Sequence, residues 1–184
     1  MDGRNPDDIR PELLRYLADV RAHYAAYHNH KEATAWAATG LYLLLVAQLV
    51  KSLADKPPVS CAAKGVISVV VVVVASLFVM YLRRQFTVTR RASGYVGACF
   101  QLGSRLLSDP SYMPSRDELA PEVDEASWPP IQSRFSLPKV LISTSGTLAN
   151  KALPNRRSLE ALAYALILVG GSVPLLQLWL FCAN

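Results

Sequence analysis

Residues 65–82 read GVISVVVVVVASLFVMYL, a run of 18 residues without a charged side chain. A helix needs about 20 mostly apolar residues to cross a hydrocarbon core of ~30 Å. The six consecutive valines would favour a strand in water. In lipid, however, every backbone amide and carbonyl must be satisfied within its own segment, which favours a helix. This stretch therefore predicts a transmembrane helix.

Two further uncharged runs flank this one along the chain. Residues 33–50 number 18, and residues 161–183 number 23. Lys51 and Lys64 can extend the two shorter spans, because a lysine stem crosses apolar surface while its charge stays in water. Buried core helices of a soluble protein are the alternative, but uncharged runs of this length are typical of membrane spans. The predicted fold class is all-α: a polytopic helical membrane protein with three transmembrane helices.

The basic residues predict the orientation of these spans. Of the 19 Lys and Arg, five precede residue 33, three lie in residues 51–64 and eleven lie in residues 83–157. Segments rich in Lys and Arg remain in the cytoplasm. We therefore expect a multi-pass protein of the inner cell membrane with its N-terminus and residues 83–157 in the cytoplasm and its C-terminus outside. The arginines that border the spans form a membrane-interface basic set: Arg83, Arg84, Arg90, Arg91, Arg156 and Arg157.

The segments outside the spans complete the predicted domain order. They are a cytoplasmic amphipathic helix over residues 1–32, an external loop over 51–64, a cytoplasmic helix over 83–108, and a Pro-rich cytoplasmic linker with a short helix over 109–160. The first 32 residues hold eleven charges and no apolar signal-peptide core, so the first span is expected to act as its own insertion signal. Apolar side chains recur at helical spacing in both cytoplasmic helices. We expect these two helices to pair antiparallel as a cytoplasmic helical stalk.

The first span carries small residues on one face. Ala33, Ala37 and Gly40 allow close approach of another helix, and Gln48 can form a hydrogen bond near the far end. We expect this face to mediate self-association, so the predicted partners are the lipid bilayer and further copies of the chain. Packing against the second or third span of the same chain is an equally compatible use. The bulkier residues 41–50 are expected to face lipid.

One pair of residues suggests catalysis. Arg21 and His28, seven positions apart on one helix face, are similar to the Arg-x(4–6)-His signature of HEPN ribonucleases, but two-residue motifs of this kind occur by accident. The alternative is that Arg21 contacts phospholipid or an acidic partner. His23 and His30 lie two turns apart, about 10 Å, too far to hold one metal ion. We therefore predict no catalytic site, no metal site, no cofactor and no nucleic-acid partner.

The order of parts carries a resemblance. A charged juxtamembrane helix, a hairpin of two spans and a cytoplasmic helix follow one another over residues 8–107, and this order resembles the SLATT-type two-span effectors of bacterial conflict systems. The resemblance is one of topology, with no motif residue to transfer, and the third span departs from it. It implies a membrane-permeabilising effector of antiviral defence, triggered through its cytoplasmic part.

These observations lead to two expectations of function. The centres of the spans hold no Asp, Glu, Lys, Arg or His side chain, which argues against a proton-coupled transporter or a voltage sensor but not against an oligomeric pore. We expect a non-enzymatic oligomeric membrane protein that acts as a pore-type effector in bacterial antiphage defence. The alternative is a membrane-anchoring adaptor that docks a soluble cytoplasmic protein partner on its basic face.

Overall fold

Two long helices dominate the structure. The computed structural model describes residues 6–55, 60–122, 137–150 and 154–181. Helix α1 spans Pro6–Ala54 and helix α2 spans Cys61–Ser108. The shorter elements are α3 (Arg116–Leu119), β1 (Pro121–Glu122), β2 (Leu137–Pro138), α4 (Lys139–Asn150), α5 (Pro154–Leu176) and a π-helical turn (Gln177–Phe181).

Helices α1, α2 and α5 are long and apolar enough to cross a membrane. This confirms the prediction of three helices that can span a bilayer. Helices α1 and α2 each join a predicted cytoplasmic helix to a predicted span, and no glycine or proline interrupts α1 between Glu12 and Thr39. Helix α2 begins where Ser60 Oγ accepts a hydrogen bond from Ala63 N–H at 3.4 Å. A serine here supplies an acceptor that the first helical turn lacks.

The chain divides into two compact units. The first unit comprises Met1–His30 and Val88–Ala152, and the second comprises Lys31–Thr87 and Leu153–Asn184. Helices α1 and α2 contribute to both units. The division therefore falls near the predicted boundaries between the charged segments and the spans.

The first unit is built on the antiparallel pairing of α1 with α2. The apolar seam of α1 is buried here, with Leu17, Val20 and Tyr24 at most 3% exposed. The Tyr24 ring stacks on that of Tyr95 at a centroid distance of 4.6 Å. Helix α4 adds the fully buried Leu141 to the same core. Burial of apolar surface from three helices stabilises this unit.

The segment between α2 and α4 differs from the predicted Pro-rich linker. It contains α3 and the antiparallel pair β1–β2, in which Glu122 lies opposite Leu137. Helix α3 begins with a capping box, in which Ser115 Oγ accepts from Glu118 N–H at 3.2 Å and Glu118 Oε2 accepts from Ser115 N–H at 2.7 Å. These reciprocal hydrogen bonds hold a helical turn that the proline content disfavours. Residues 123–136 of the predicted linker lie outside the described residues.

Arg10 of α1 closes the C-terminal end of α2. Its guanidinium donates hydrogen bonds to the carbonyl oxygens of Leu106 at 2.6 Å and Tyr112 at 3.3 Å, and also to those of Asp109 and Pro110. The last carbonyls of a helix lack partners inside the helix and carry the negative end of its dipole. A planar cation with five donors suits this position.

We expect Arg10→Ala to lower the free energy of unfolding of the first unit by about 2 kcal/mol, since it removes charge-assisted hydrogen bonds to several carbonyls. Arg10→Lys should recover only part of the loss, because an ammonium lacks the planar fork of donors. Thermal unfolding in mild detergent, followed by circular dichroism, measures both. Arg15→Ala, an exposed arginine of the same helix, is the control, and an equal loss there would contradict the capping role.

The second unit packs α1, α2 and α5 along one face of each helix. The buried residues that pack together in its core, within the described part of the chain, include Ala35, Tyr42, Leu82, Phe86, Ala163 and Ile167. The outer faces carry large apolar side chains, and Val69, Val70, Val72 and Val73 are each at least 50% exposed. Contiguous apolar surface of this kind suits contact with lipid rather than with water.

Candidate functional site

One face of α1 in the second unit is uncovered. Ala33, Ala37, Gly40 and Gln48 are all exposed, and no atom of the described residues lies within 4 Å of the position that a Cβ on Gly40 would take. At about 100° per residue, these four positions fall within an arc of about 80°. Leu44, 66% exposed, lies in the same arc. We call these five residues the small-residue face.

Packing within the chain uses the opposite side of α1. Ala35 and Tyr42 belong to the core of the second unit, and Thr39 is 2% exposed. The Thr39 hydroxyl donates to the Ala35 carbonyl at 3.0 Å, so it is satisfied within its own helix. Packing of the small-residue face against another span of the same chain is therefore wrong for the described residues. The expectation that residues 41–50 face lipid is also wrong for Tyr42, because its phenol reaches α5.

Two glycines of α5 contact the side chain of Tyr42. The Tyr42 hydroxyl donates a hydrogen bond to the Ile167 carbonyl at 3.0 Å. A Cβ on Gly171 would lie 2.7 Å from the Tyr42 hydroxyl oxygen, and one on Gly170 would lie 3.3 Å from its ring. Sequence reasoning missed this contact. Two features of the sequence could have predicted it. A tyrosine within a span needs a hydrogen-bond partner for its hydroxyl when it is buried, and a Gly-Gly pair in a different span allows close approach of a large side chain.

Two side chains of the π-helical turn donate hydrogen bonds to α1 and α2. Gln177 Nε2 donates to the Val50 carbonyl at 3.2 Å, and Trp179 Nε1 donates to Ser68 Oγ at 3.1 Å. Because a carbonyl can only accept, the contact with Val50 assigns the amide nitrogen of Gln177. Gln177 Oε1 is buried and has no hydrogen-bond partner among the described residues.

The membrane-interface basic set is divided between the two units. Arg83 and Arg84 belong to the second unit and are exposed, whereas Arg90 and Arg91 belong to the first unit and are half-buried. Two side chains of the set lie outside the described residues: Arg156 and Arg157. Exposed arginines beside an apolar run suit contact with anionic lipid head groups.

Arg21 and His28 contact different parts of α2. His28 Nδ1 lies 3.3 Å from the Thr89 carbonyl oxygen, and the Arg21 guanidinium lies 5.7 Å from the centroid of the Phe100 ring. Since the carbonyl only accepts, the His28 proton sits on Nδ1 in this contact. Both side chains thus help to pair the two helices. Within the part of the chain that the structure describes, no three His, Cys, Asp or Glu side chains meet in a way that could hold a metal ion.

A groove lies between α1 and α2 in the first unit. It has a volume of about 450 Å³, and its walls include Phe100 and Leu107, which are 63% and 73% exposed. Gly103 lies between these two residues on α2, and none of the described residues has an atom within 4 Å of its Cβ position. The groove is therefore open and mainly apolar.

The thiol of Cys99 is buried beside this groove. Burial raises the pKa of Cys99 to about 11, and the nearby Arg21 partly opposes the shift. The thiolate is the reactive form of cysteine. At neutral pH the Cys99 thiol is therefore protonated and chemically inert.

We expect Cys99 to react slowly with maleimide at neutral pH, whereas the exposed Cys61 should react quickly. The rate at Cys99 should rise by about tenfold per pH unit as the thiolate fraction grows toward its pKa. Mass spectrometry of the labelled peptides measures both rates in detergent, in a Cys182→Ser background that leaves two thiols. Equal rates at pH 7 would contradict the burial of Cys99.

Comparison of the chain with protein-family models, with curated proteins and with solved structures finds no significant match.

Proposed function

We propose that this protein is an oligomeric membrane protein whose copies associate through the small-residue face and form a pore in the bilayer. The observation that supports the proposal is an uncovered close-packing surface on a helix whose opposite side already packs within the chain. Lipid gives helices no hydrophobic reason to associate, so close van der Waals contact and hydrogen bonds must supply the attraction. Gly40 lets a neighbouring backbone approach, and Gln48 adds an amide that can bond across the interface.

Several copies are needed because three spans enclose no water-filled path of their own. The hydroxyls of Ser76 and Ser172 donate to carbonyls of their own helices, at 2.8 Å to Val72 and 2.7 Å to Val169. A pore built from these uncharged spans is lined by amides, hydroxyls and apolar side chains. Such a pore opens by wetting of an apolar constriction rather than by movement of charge. It is not an enzyme and uses no cofactor.

The cellular setting of this proposal rests on the sequence. The distribution of Lys and Arg supports an orientation with the N-terminus and the first unit in the cytoplasm, and the proposal places the protein in the inner cell membrane. The order of parts over residues 8–107 supports a SLATT-like permeabilising effector of antiphage defence. In this setting the first unit receives the trigger and the second unit forms the pore.

We expect Gly40→Leu to separate association from insertion, because leucine fills the close-approach surface without adding polarity. The variant should still insert, but its mass in mild detergent should fall to that of one chain. Release of a small dye from liposomes should fall by about tenfold or more. Gly65→Leu is the matched control, since Gly65 also has no atom within 4 Å of its Cβ position, and it should change neither result.

Two outcomes contradict the pore. One is a wild-type protein that is already monomeric in mild detergent and in native membranes. The other is a wild-type protein that releases no dye at any ratio of protein to lipid.

A membrane-anchoring adaptor is the second candidate. The first unit has its own hydrophobic core and exposes cations such as Arg15, Arg105 and Lys139. A pore made of spans does not need such a unit, whereas a docking module does. Loss of a specific cytoplasmic partner on charge reversal of these residues, together with no dye release from the wild type, would favour the adaptor.

A further inference from the structure

The groove between α1 and α2 in the first unit exposes large apolar side chains. Leu14 and the buried Leu17 line it from α1, and Phe100 and Leu107 line it from α2. Phe100 and Leu107 remain 63% and 73% exposed although the unit has a well-buried core. Large apolar side chains clustered at a surface mark a binding site more often than chance exposure.

A single cation stands at one end of this apolar surface. Arg21 borders the groove, and its guanidinium lies over the Phe100 ring at 5.7 Å. Among the described residues, no carboxylate forms an ion pair with Arg21. Because α1 and α2 run antiparallel, Leu14 and Leu107 lie toward the other end. The groove is thus mainly apolar, with the hydroxyls of Ser104 and Ser108 in its wall, and positive at one end.

We propose that this groove binds a single-chain anionic amphiphile of the fatty-acid type, with its carboxylate on Arg21 and its acyl chain along Leu14, Phe100 and Leu107. A volume of about 450 Å³ falls within the range of small-ligand sites, about 300–1,000 Å³. A guanidinium pairs with a carboxylate through two parallel hydrogen bonds. Each methylene group that leaves water adds affinity. The bilayer that α1, α2 and α5 can cross is the source of such molecules.

The dimensions of the groove favour an amphiphile over a protein partner. Ten of the described residues, from two helices, line it, whereas a stable protein interface uses about 20–30 residues on each side. Its centre at Gly103 is open, since no atom in the described part of the chain lies within 4 Å of a Cβ position there. A flexible chain can follow a narrow open channel without the broad complementary surface that a protein requires.

Photo-crosslinking with a palmitate analogue that carries a diazirine tests this proposal. The full-length protein is placed in phosphatidylcholine nanodiscs, irradiated with the probe and mapped by mass spectrometry of its peptides. We expect saturable labelling of peptides that contain residues 14–21 or 99–108, and unlabelled palmitate should compete for it. Labelling of the exposed residues of the spans is the internal reference, because it reports probe dissolved in the bilayer.

Two variants separate binding of the chain from binding of the head group. Gly103→Leu fills the groove and should lower labelling of the groove peptides by about tenfold or more. Gly65→Leu, whose surroundings are equally open, should not. Arg21→Gln should lower groove labelling by the acid probe about tenfold and leave labelling by its methyl ester unchanged, because only the carboxylate loses a charge-assisted contact.

Several results would overturn the proposal. If the probe labels the spans of the wild type but not its groove peptides, the groove is not a binding site. The same conclusion follows if labelling of the groove peptides is as strong in Gly103→Leu as in the wild type. If labelling by the acid probe is unchanged in Arg21→Gln, or falls as much as labelling by the methyl ester, the carboxylate does not bind Arg21. If a second copy of the chain fills the groove instead, wild-type groove peptides stay unlabelled and Gly103→Leu lowers the oligomer mass.

Discussion

Replacing Gly94 with alanine is expected to displace α4 from α2 and to lower the free energy of unfolding of the first unit by about 2–3 kcal/mol. The new methyl group would lie 2.7 Å from the Ser145 carbonyl oxygen and 3.2 Å from Ala149 Cβ. A backbone oxygen cannot yield unless α4 moves, and α4 brings the fully buried Leu141 to the core. Thermal unfolding of the solubilised protein, followed by circular dichroism, measures the loss.

Gly103→Ala is the matched control in the same helix. No atom of the residues that the structure describes lies within 4 Å of its Cβ position, so alanine should only raise helix propensity, by up to about 1 kcal/mol. Gly97→Ala should fall between the two, because the nearest atom is Leu148 Cδ1 at 3.1 Å, at the end of a flexible side chain. Equal effects of Gly94→Ala and Gly103→Ala would contradict the close approach of α4 at Gly94.

The second large effect is expected at Gly171. An alanine methyl there would lie 2.7 Å from the hydroxyl oxygen of Tyr42, a side chain that is 2% exposed and has little room to withdraw. The hydroxyl would lose its 3.0 Å hydrogen bond to Ile167. A buried hydroxyl without a partner costs about 1–3 kcal/mol, and steric displacement adds to it. We expect Gly171→Ala to destabilise the second unit by about 2–4 kcal/mol in total.

Tyr42→Phe isolates the cause of this effect. Phenylalanine keeps the ring against Phe78 but removes the oxygen that the alanine methyl at position 171 would meet. Tyr42→Phe alone should cost about 1 kcal/mol, and Gly171→Ala should add little in that background. The double-mutant cycle should therefore give a coupling of about 1–3 kcal/mol, measured by titration with sodium dodecyl sulfate. Strictly additive effects would rule out the contact between Tyr42 and residue 171.

The three spans are predictable from the sequence because length and charge alone determine which segments can cross a bilayer. The helix pairing of the first unit is also predictable, since residues such as Val20 and Ala92 recur at helical spacing and become its fully buried core. Arg10 is different. Its role depends on where α2 ends relative to the start of α1. The sequence of α1 alone does not predict that position.

The sequence predicts that Tyr42 faces lipid because it lies among bulky apolar residues, and composition does not distinguish a lipid-facing tyrosine from one that reaches Ile167. Helix α3 could have been recognised from Ser115 and Glu118, which have the spacing of a capping box. The β1–β2 pair could not have been recognised from the sequence, because each strand has two residues and contains a proline. Its register is held by tertiary contacts, including the hydrogen bond from Lys139 N–H to the Ala120 carbonyl at 3.1 Å. The groove beside Cys99 likewise becomes visible only when two helices are placed together.

The polar contacts of the π-helical turn have a consequence for biogenesis. Gln177 and Trp179 donate to Val50 and Ser68, and these acceptors belong to helices that precede α5 in the chain. Before those helices are in place, lipid offers the Gln177 amide no partner, and an unmet polar group raises the cost of insertion. Helix α5 should therefore move from the translocation machinery into the bilayer most readily when the hairpin of the first two spans is already inserted next to it. The chain order of synthesis provides that sequence of events.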